Sequence, residues 1–153
     1  LSSKQHGHMA LPSGANMIAN EGDKLPPWTM DSVSPERMQT MAAILRDPNP
    51  VHWDRKSVAQ LGLGERCINQ GPLGVGYMVN MLQNWAGENC IKRMFIRFPN
   101  PIILDGDHII SKGVVTKSYQ HEGFDMAEVE TWLERNGERG LIEATVTLQL
   151  PRD

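Results

Sequence analysis

The chain has 153 residues, 40% of them apolar, which suits one domain burying roughly two-thirds of its unfolded surface without staples. A net charge of -3 and a pI near 6.0 argue against nucleic acid or an anionic membrane as the main partner, since neither would be attracted. Cys67 and Cys90 stand alone, without CxxC or Cys/His ligand spacing, and read as reduced thiols of a cytoplasmic protein with no metal site.

Residues 1–20 read as a tail, and 21–153 as the domain. Leu1–Met9 lacks an initiator Met and has the look of expression-vector sequence. No apolar run reaches the ~18 residues of a membrane span, and no basic segment followed by an apolar one directs secretion. Pro26 and Pro27 make Trp28–Met30 an edge strand or its lead-in, because proline cannot donate to a ladder. Ser34-Pro35-Glu36 is a helix start: a hydroxyl cap, Pro in the first turn and an acid beside it. Met38, Met41, Ala42 and Leu45 then share one helical face, which reads as core.

The helix must stop at Asp47-Pro48-Asn49-Pro50-Val51-His52, where two prolines fix φ and bias the residues before them away from helix. A rigid extended turn is expected, with a carboxylate at 47 and an imidazole at 52 at its ends. Such a pair suits acid–base chemistry on a water molecule. It equally suits an ordinary turn, since Asp and Asn before Pro are common turn initiators. Asp54 can cap a short helix through Ser57–Leu61, which Gly62 and Gly64 end.

Gly71 to Trp85 is apolar nearly all round, predicting a helix buried on most sides and closed by Gly87. Four strands follow by β-branched and aromatic content: Cys90–Phe98, His108–Tyr119, Phe124–Leu133 and Arg139–Leu150. In the last, Ile142, Ala144, Val146, Leu148 and Leu150 alternate with polar residues, the period of a half-buried strand. Asn136-Gly137 joins it to its predecessor as a type I′ hairpin turn.

The spacing Asp47-x-Asn49-Pro50-x-His52 resembles the signature of the MaoC-like (R)-specific enoyl-CoA hydratases. Asn69-Gln70-Gly71-Pro72-Leu73 is similar to that family's opening of its central helix. Pro101 with Leu104-Asp105-Gly106-Asp107 is similar to its Pro-Gly-Asp lead into a strand, so the likeness runs over roughly residues 24–150. Leu45-Arg46 stand where the family commonly has Ser-Gly, Gln70 where it has His, and Asp105 where it has Pro. The resemblance implies an α+β hotdog fold, a long antiparallel sheet wrapped around one central helix.

It also implies a hydro-lyase that reversibly adds water to a trans-2-enoyl-CoA, giving a (3R)-hydroxyacyl-CoA. Asp47 and His52 would be the catalytic dyad, Asp47 as base and His52 orienting the water. The Gly71 N–H would be the oxyanion donor, with Asn49 and Gln70 near the substrate. An unsatisfied N–H at a helix start can stabilise developing negative charge, although an ordinary helix start with Pro looks the same. No cofactor is implied beyond the CoA of the substrate. Lys92, Arg93 and Arg97 could meet its phosphates, but surface charge on an edge strand is the commoner reading.

The implied unit is at least a homodimer or hetero-oligomer of hotdog subunits. Arg46-Asp47, Val51-His52-x-Asp54-Arg55 and Trp85-Ala86-Gly87 are similar to small actinobacterial MaoC-like chains that act on bulky acyl-CoA only beside a second such chain. A hotdog acyl-CoA thioesterase is disfavoured, because those enzymes place a carboxylate on the central helix and residues 72–86 hold no Asp or Glu. Gly74 and Gly76 leave two readings open: room for a bulky acyl chain beside Gly71, or close approach of the helix to the sheet.

Overall fold

A computed structural model describes residues 17–99 and 102–152. The expected tail lies outside the described residues as far as residue 16, as does Pro101. Ala19 is already buried in the core, N-terminal of the boundary expected at residue 21.

Among the described residues five strands form one antiparallel sheet: β1 (Trp28–Met30), β2 (Ile91–Arg97), β3 (Ile109–His121), β4 (Phe124–Arg135) and β5 (Glu138–Gln149). Their order across the sheet is β1-β3-β4-β5-β2, so β1 and β2 are the edges. A 16-residue helix, α3 (Gly71–Ala86), lies across β1, β3, β4 and β5. This is the hotdog arrangement. The core lies between helix and sheet, where Tyr77, Met78, Met81 and Leu82 meet Ile109, Val129, Val146 and Leu148.

The alternation in β5 does what its period requires, burying Ile142, Ala144, Val146 and Leu148 on the helix side. Asn136 and Gly137 both take positive φ, 55° and 80°, as a type I′ turn demands. Glu122 and Gly123 do the same between β3 and β4, at 49° and 82°, without an Asn to announce the turn.

Two shorter helices, α1 (Pro35–Leu45) and α2 (Arg55–Gln60), carry the segment between β1 and α3. Ser34 and Asp54 cap them as expected, accepting the N–H groups of Arg37 and Lys56. On α1, Met38 and Ala42 are buried, whereas Leu45 is 44% exposed at the helix end. α3 is less covered than its composition predicts: Leu73, Val75, Val79 and Trp85 are only half-buried and Asn80 is exposed. One chain supplies a single sheet, and a sheet covers a helix on one side only.

Candidate functional site

The chain between α1 and α2 is folded by its own side chains. Arg46 ends α1 in the left-handed region at φ 52°, and its N–H and that of Asp47 return to the last-turn carbonyls of Ala43 and Ala42. Asp47 Oδ1 then accepts the Asn49 N–H at 3.0 Å, and Asn49 Oδ1 accepts the Val51 N–H at 3.2 Å. Asn49 therefore caps a single turn of 3₁₀ helix, Pro50–His52. The expected extended turn stops at Asn49, because a φ near −65° fits 3₁₀ helix as well as extended chain and the cap decides between them.

That turn carries His52 back over Asp47. His52 Nε2 lies 3.3 Å from Asp47 Oδ2, with side chains 14% and 29% exposed. His52 Nδ1 lies 2.6 Å from the Ile68 carbonyl. A carbonyl only accepts, so Nδ1 carries the hydrogen and Nε2 is the nitrogen turned to the carboxylate. At 3.3 Å nothing fits between the two atoms, so a water shared by them would sit beside the pair, within reach of both. Ile68 is fixed in turn, its N–H donating to Val51 O at 2.9 Å.

Gly71 opens α3 with no partner for its N–H among the described residues, and Pro72 has none to offer. The ring of Phe98 covers it, since a Cβ built at Gly71 would sit 2.9 Å from Phe98 Cε1. Asn69 organises the approach to this helix start: Tyr77 Oη donates to its Oδ1 at 3.3 Å, and its Nδ2 donates to the Gln70 carbonyl at 2.9 Å. Burial pushes the Tyr77 phenol up to about 12, so it remains a donor across the ordinary pH range. Nothing in the local sequence marks Asn69 for this task, because its partner Tyr77 is two turns further along the helix.

Gln70 lines one hollow together with Gly71. Its side chain is 1% exposed and its Nε2 donates to Met38 O at 2.8 Å, leaving only Oε1, an acceptor, without a partner. That bond ties α1 to the start of α3. Asn49 remains beside Asp47 as an exposed residue, its Oδ1 committed to the cap.

Two depressions flank these residues. One of about 440 Å³ is lined by Asp47, Pro48 and Trp53 with Ala42, Ala43 and Arg46 of the α1 end. The other, about 170 Å³, is lined by Gly71 with Phe98, Ile102, Ile103 and Leu141 among others. They share no lining residue, so in one chain Asp47 and the helix start open on separate hollows, and His52 lines neither. Gly74 creates no space: a Cβ there would lie 2.5 Å from Ile142 Cδ1, so its role is close approach of helix to sheet. Of Gly74 and Gly76 it is Gly76 that has open space, with nothing within 4 Å. Lys92 and Arg93 lie exposed on β2, and Arg97 pairs with Glu143.

No protein-family model and no curated protein matches the chain. Solved structures do. The ChsH1-ChsH2 complex of Mycobacterium tuberculosis is 21% identical, with 88% of this chain and 100% of that one covered at a TM-score of 0.73. The R-hydratase PhaJ1 of Pseudomonas aeruginosa is 20% identical over 88% of this chain and 83% of its own, TM-score 0.76. The (R)-hydratase of A. caviae involved in PHA biosynthesis is 20% identical over 92% and 100%, TM-score 0.73. At this identity the likeness carries the fold they share, and chemistry must be argued from the site.

Proposed function

We propose that the protein is an enoyl-CoA hydratase, or the same enzyme run as a 3-hydroxyacyl-CoA dehydratase, with Asp47 and His52 acting on one water. The carrying observation is the imidazole held at both ends, with Nδ1–H on the Ile68 carbonyl and Nε2 at 3.3 Å from Asp47 Oδ2. With Nδ1 as donor, Nε2 and Asp47 Oδ2 are both acceptors, and a water seated beside the pair donates one hydrogen to each. That leaves a lone pair of its oxygen free to attack.

As the water oxygen bonds to C3 of a trans-2-enoyl thioester, its proton passes to Asp47 and the thioester becomes enolate-like. The Gly71 N–H receives the charge on the thioester oxygen, reinforced by the positive end of α3. C2 then takes, on the same face, the proton that Asp47 received, with His52 Nε2 sharing in the transfer; this returns the dyad to its starting state and leaves the (3R)-hydroxyacyl-CoA. Proton transfer and charge stabilisation suffice for this addition, so the reaction draws on no metal or redox group. The CoA thioester enters as substrate, and the thiols Cys67 and Cys90, both buried and unpaired, suit the reducing cytoplasm where acyl-CoA is met.

The test is turnover of a series of trans-2-enoyl-CoA substrates by wild type, Asp47→Asn and His52→Ala. Each variant is expected to lose at least about a hundredfold, as for positioned acid–base groups. Unchanged turnover in either folded variant overturns the mechanism.

A second reading makes this chain one subunit of a hetero-oligomeric hydratase. Two structural neighbours are complexes by name, ChsH1-ChsH2 and HadBC, the latter 17% identical at a TM-score of 0.61. The observation here that favours a partner is the separation of the Asp47 and Gly71 hollows, which a second hotdog unit could close into one site. Mass and activity of the chain purified alone decide between the two.

A further inference from the structure

The dyad explains His52 and Asp47 but leaves a buried carboxylate nearby unused. Asp105 is 2% exposed, in the loop before β3. Its Oδ1 accepts Arg55 Nη2 at 2.8 Å, and its Oδ2 accepts Arg55 Nε at 3.3 Å and the Cys67 N–H at 2.5 Å. Its own N–H returns to the Cys67 carbonyl at 2.9 Å. Arg55 opens α2 three residues after His52, and Cys67 precedes Ile68, whose carbonyl holds the His52 Nδ1–H. One carboxylate thus grips both backbone segments that set the imidazole. Proline at this position would supply neither the carboxylate nor the N–H.

We infer that Asp105, with Arg55, is a positioning residue for His52, fixing its ring tautomer and its distance from Asp47. This inference rests on the reading of His52 as a group that works on the attacking water. The grip is charge-assisted and two-pronged from the guanidinium side, which fixes orientation as well as distance. A merely structural staple would change how easily the protein unfolds, yet leave the imidazole of the folded state unaltered.

The readout is therefore the ring itself. Nitrogen–proton NMR of the full chain at pH 8 is expected to find wild-type His52 as the Nδ1–H tautomer. In Asp105→Asn and Arg55→Gln the Nε2–H form should rise and become the major one. In the hydration assay both variants are expected to lose about tenfold in kcat with KM within about twofold, the signature of lost orientation. Arg55→Lys keeps a cation on the carboxylate and should recover kcat to within about threefold of wild type, though without the fork.

Folded variants with the wild-type tautomer and wild-type kcat overturn the inference. Should Asp105→Asn fail to fold, Arg55→Gln decides alone, since that change is made at a side chain 62% exposed and leaves the buried Asp105 side chain itself unaltered. Should the wild type show no hydratase activity, the functional reading fails while the tautomer still decides the clamp.

Discussion

Asp107, two residues beyond the clamp, shows how much charge this fold hides. Burial works to raise its pKa, but the Leu104 N–H and the guanidiniums of Arg135 and Arg66 outweigh it and hold the carboxyl below its ordinary range. A carboxyl lowered in the folded state contributes stability that is complete above its unfolded value, near pH 4, and is lost as pH falls through the folded one. Glu134, lowered by Lys112 and then by Trp132, adds in the same sense. Thermal unfolding followed between about pH 5 and pH 2 should therefore show Tm falling steeply in wild type. Asp107→Asn should start lower and fall more gently; parallel curves would mean that other groups govern the acid limb. The dyad belongs to this scale as well. Because Asp47 and His52 act on one water, the double variant Asp47→Asn/His52→Ala should be little worse than either single one. Losses that multiply in kcat/KM would mean that the two act independently.

At the scale of elements, α3 offers a controlled comparison between two glycines two residues apart. Both sit in helical conformation, so alanine should gain about 0.5–1 kcal/mol of propensity at either. At Gly76 the new methyl meets nothing within 4 Å, and Gly76→Ala should be stabilising by about that amount. At Gly74 it would fall 2.5 Å from Ile142 Cδ1, in the buried seam between helix and sheet, with Asn69 and Ile103 each at 3.4 Å. Forced repacking there costs about 1–3 kcal/mol, which outweighs the propensity gain. Gly74→Ala should therefore be destabilising in urea unfolding, and adding Ile142→Val, which removes the offending methyl, should restore part of the loss. Additive effects of the two changes would mean that the contact is not the cause.

For the whole molecule, the open issue is what covers the faces a single chain leaves bare. Among the described residues β2 is a sheet edge whose outer N–H and C=O groups have no ladder partner, with Phe95 61% exposed upon it and Phe98 58% exposed just after it. α3 keeps a half-buried flank beyond the reach of its own sheet. Exposed edges and apolar surface of this kind are ordinarily covered by another chain. Sedimentation at micromolar concentration should find at least a dimer, and a fully active monomer would contradict it. Among the described residues no helix is long and apolar enough to cross a membrane.

The sequence by itself determined what is local. Caps, prolines, the Asn136-Gly137 turn and the period of β5 act within a few residues, so the elements and their faces were readable. Asp47 and His52 were legible as a pair by type and spacing, but it is the 3₁₀ turn that brings them to 3.3 Å, since an extended stretch would hold its ends roughly 17 Å apart. The extended form expected for that stretch was the exception, because Asn49 could cap a 3₁₀ turn that the prolines alone left undetermined. Only the tertiary structure decided what depends on distant partners. His52 takes its tautomer from a carbonyl 16 residues away, and Gln70 is drawn into the core by one 32 residues away. Asp105 meets Arg55 across 50 residues. These partners lie between β1 and the start of α3 or in the loop before β3, segments that the tertiary fold sets side by side, as the Ile68–Leu104 bridge does. Residue type limits which hydrogen bonds a side chain can make; the fold alone selects which partners come within reach.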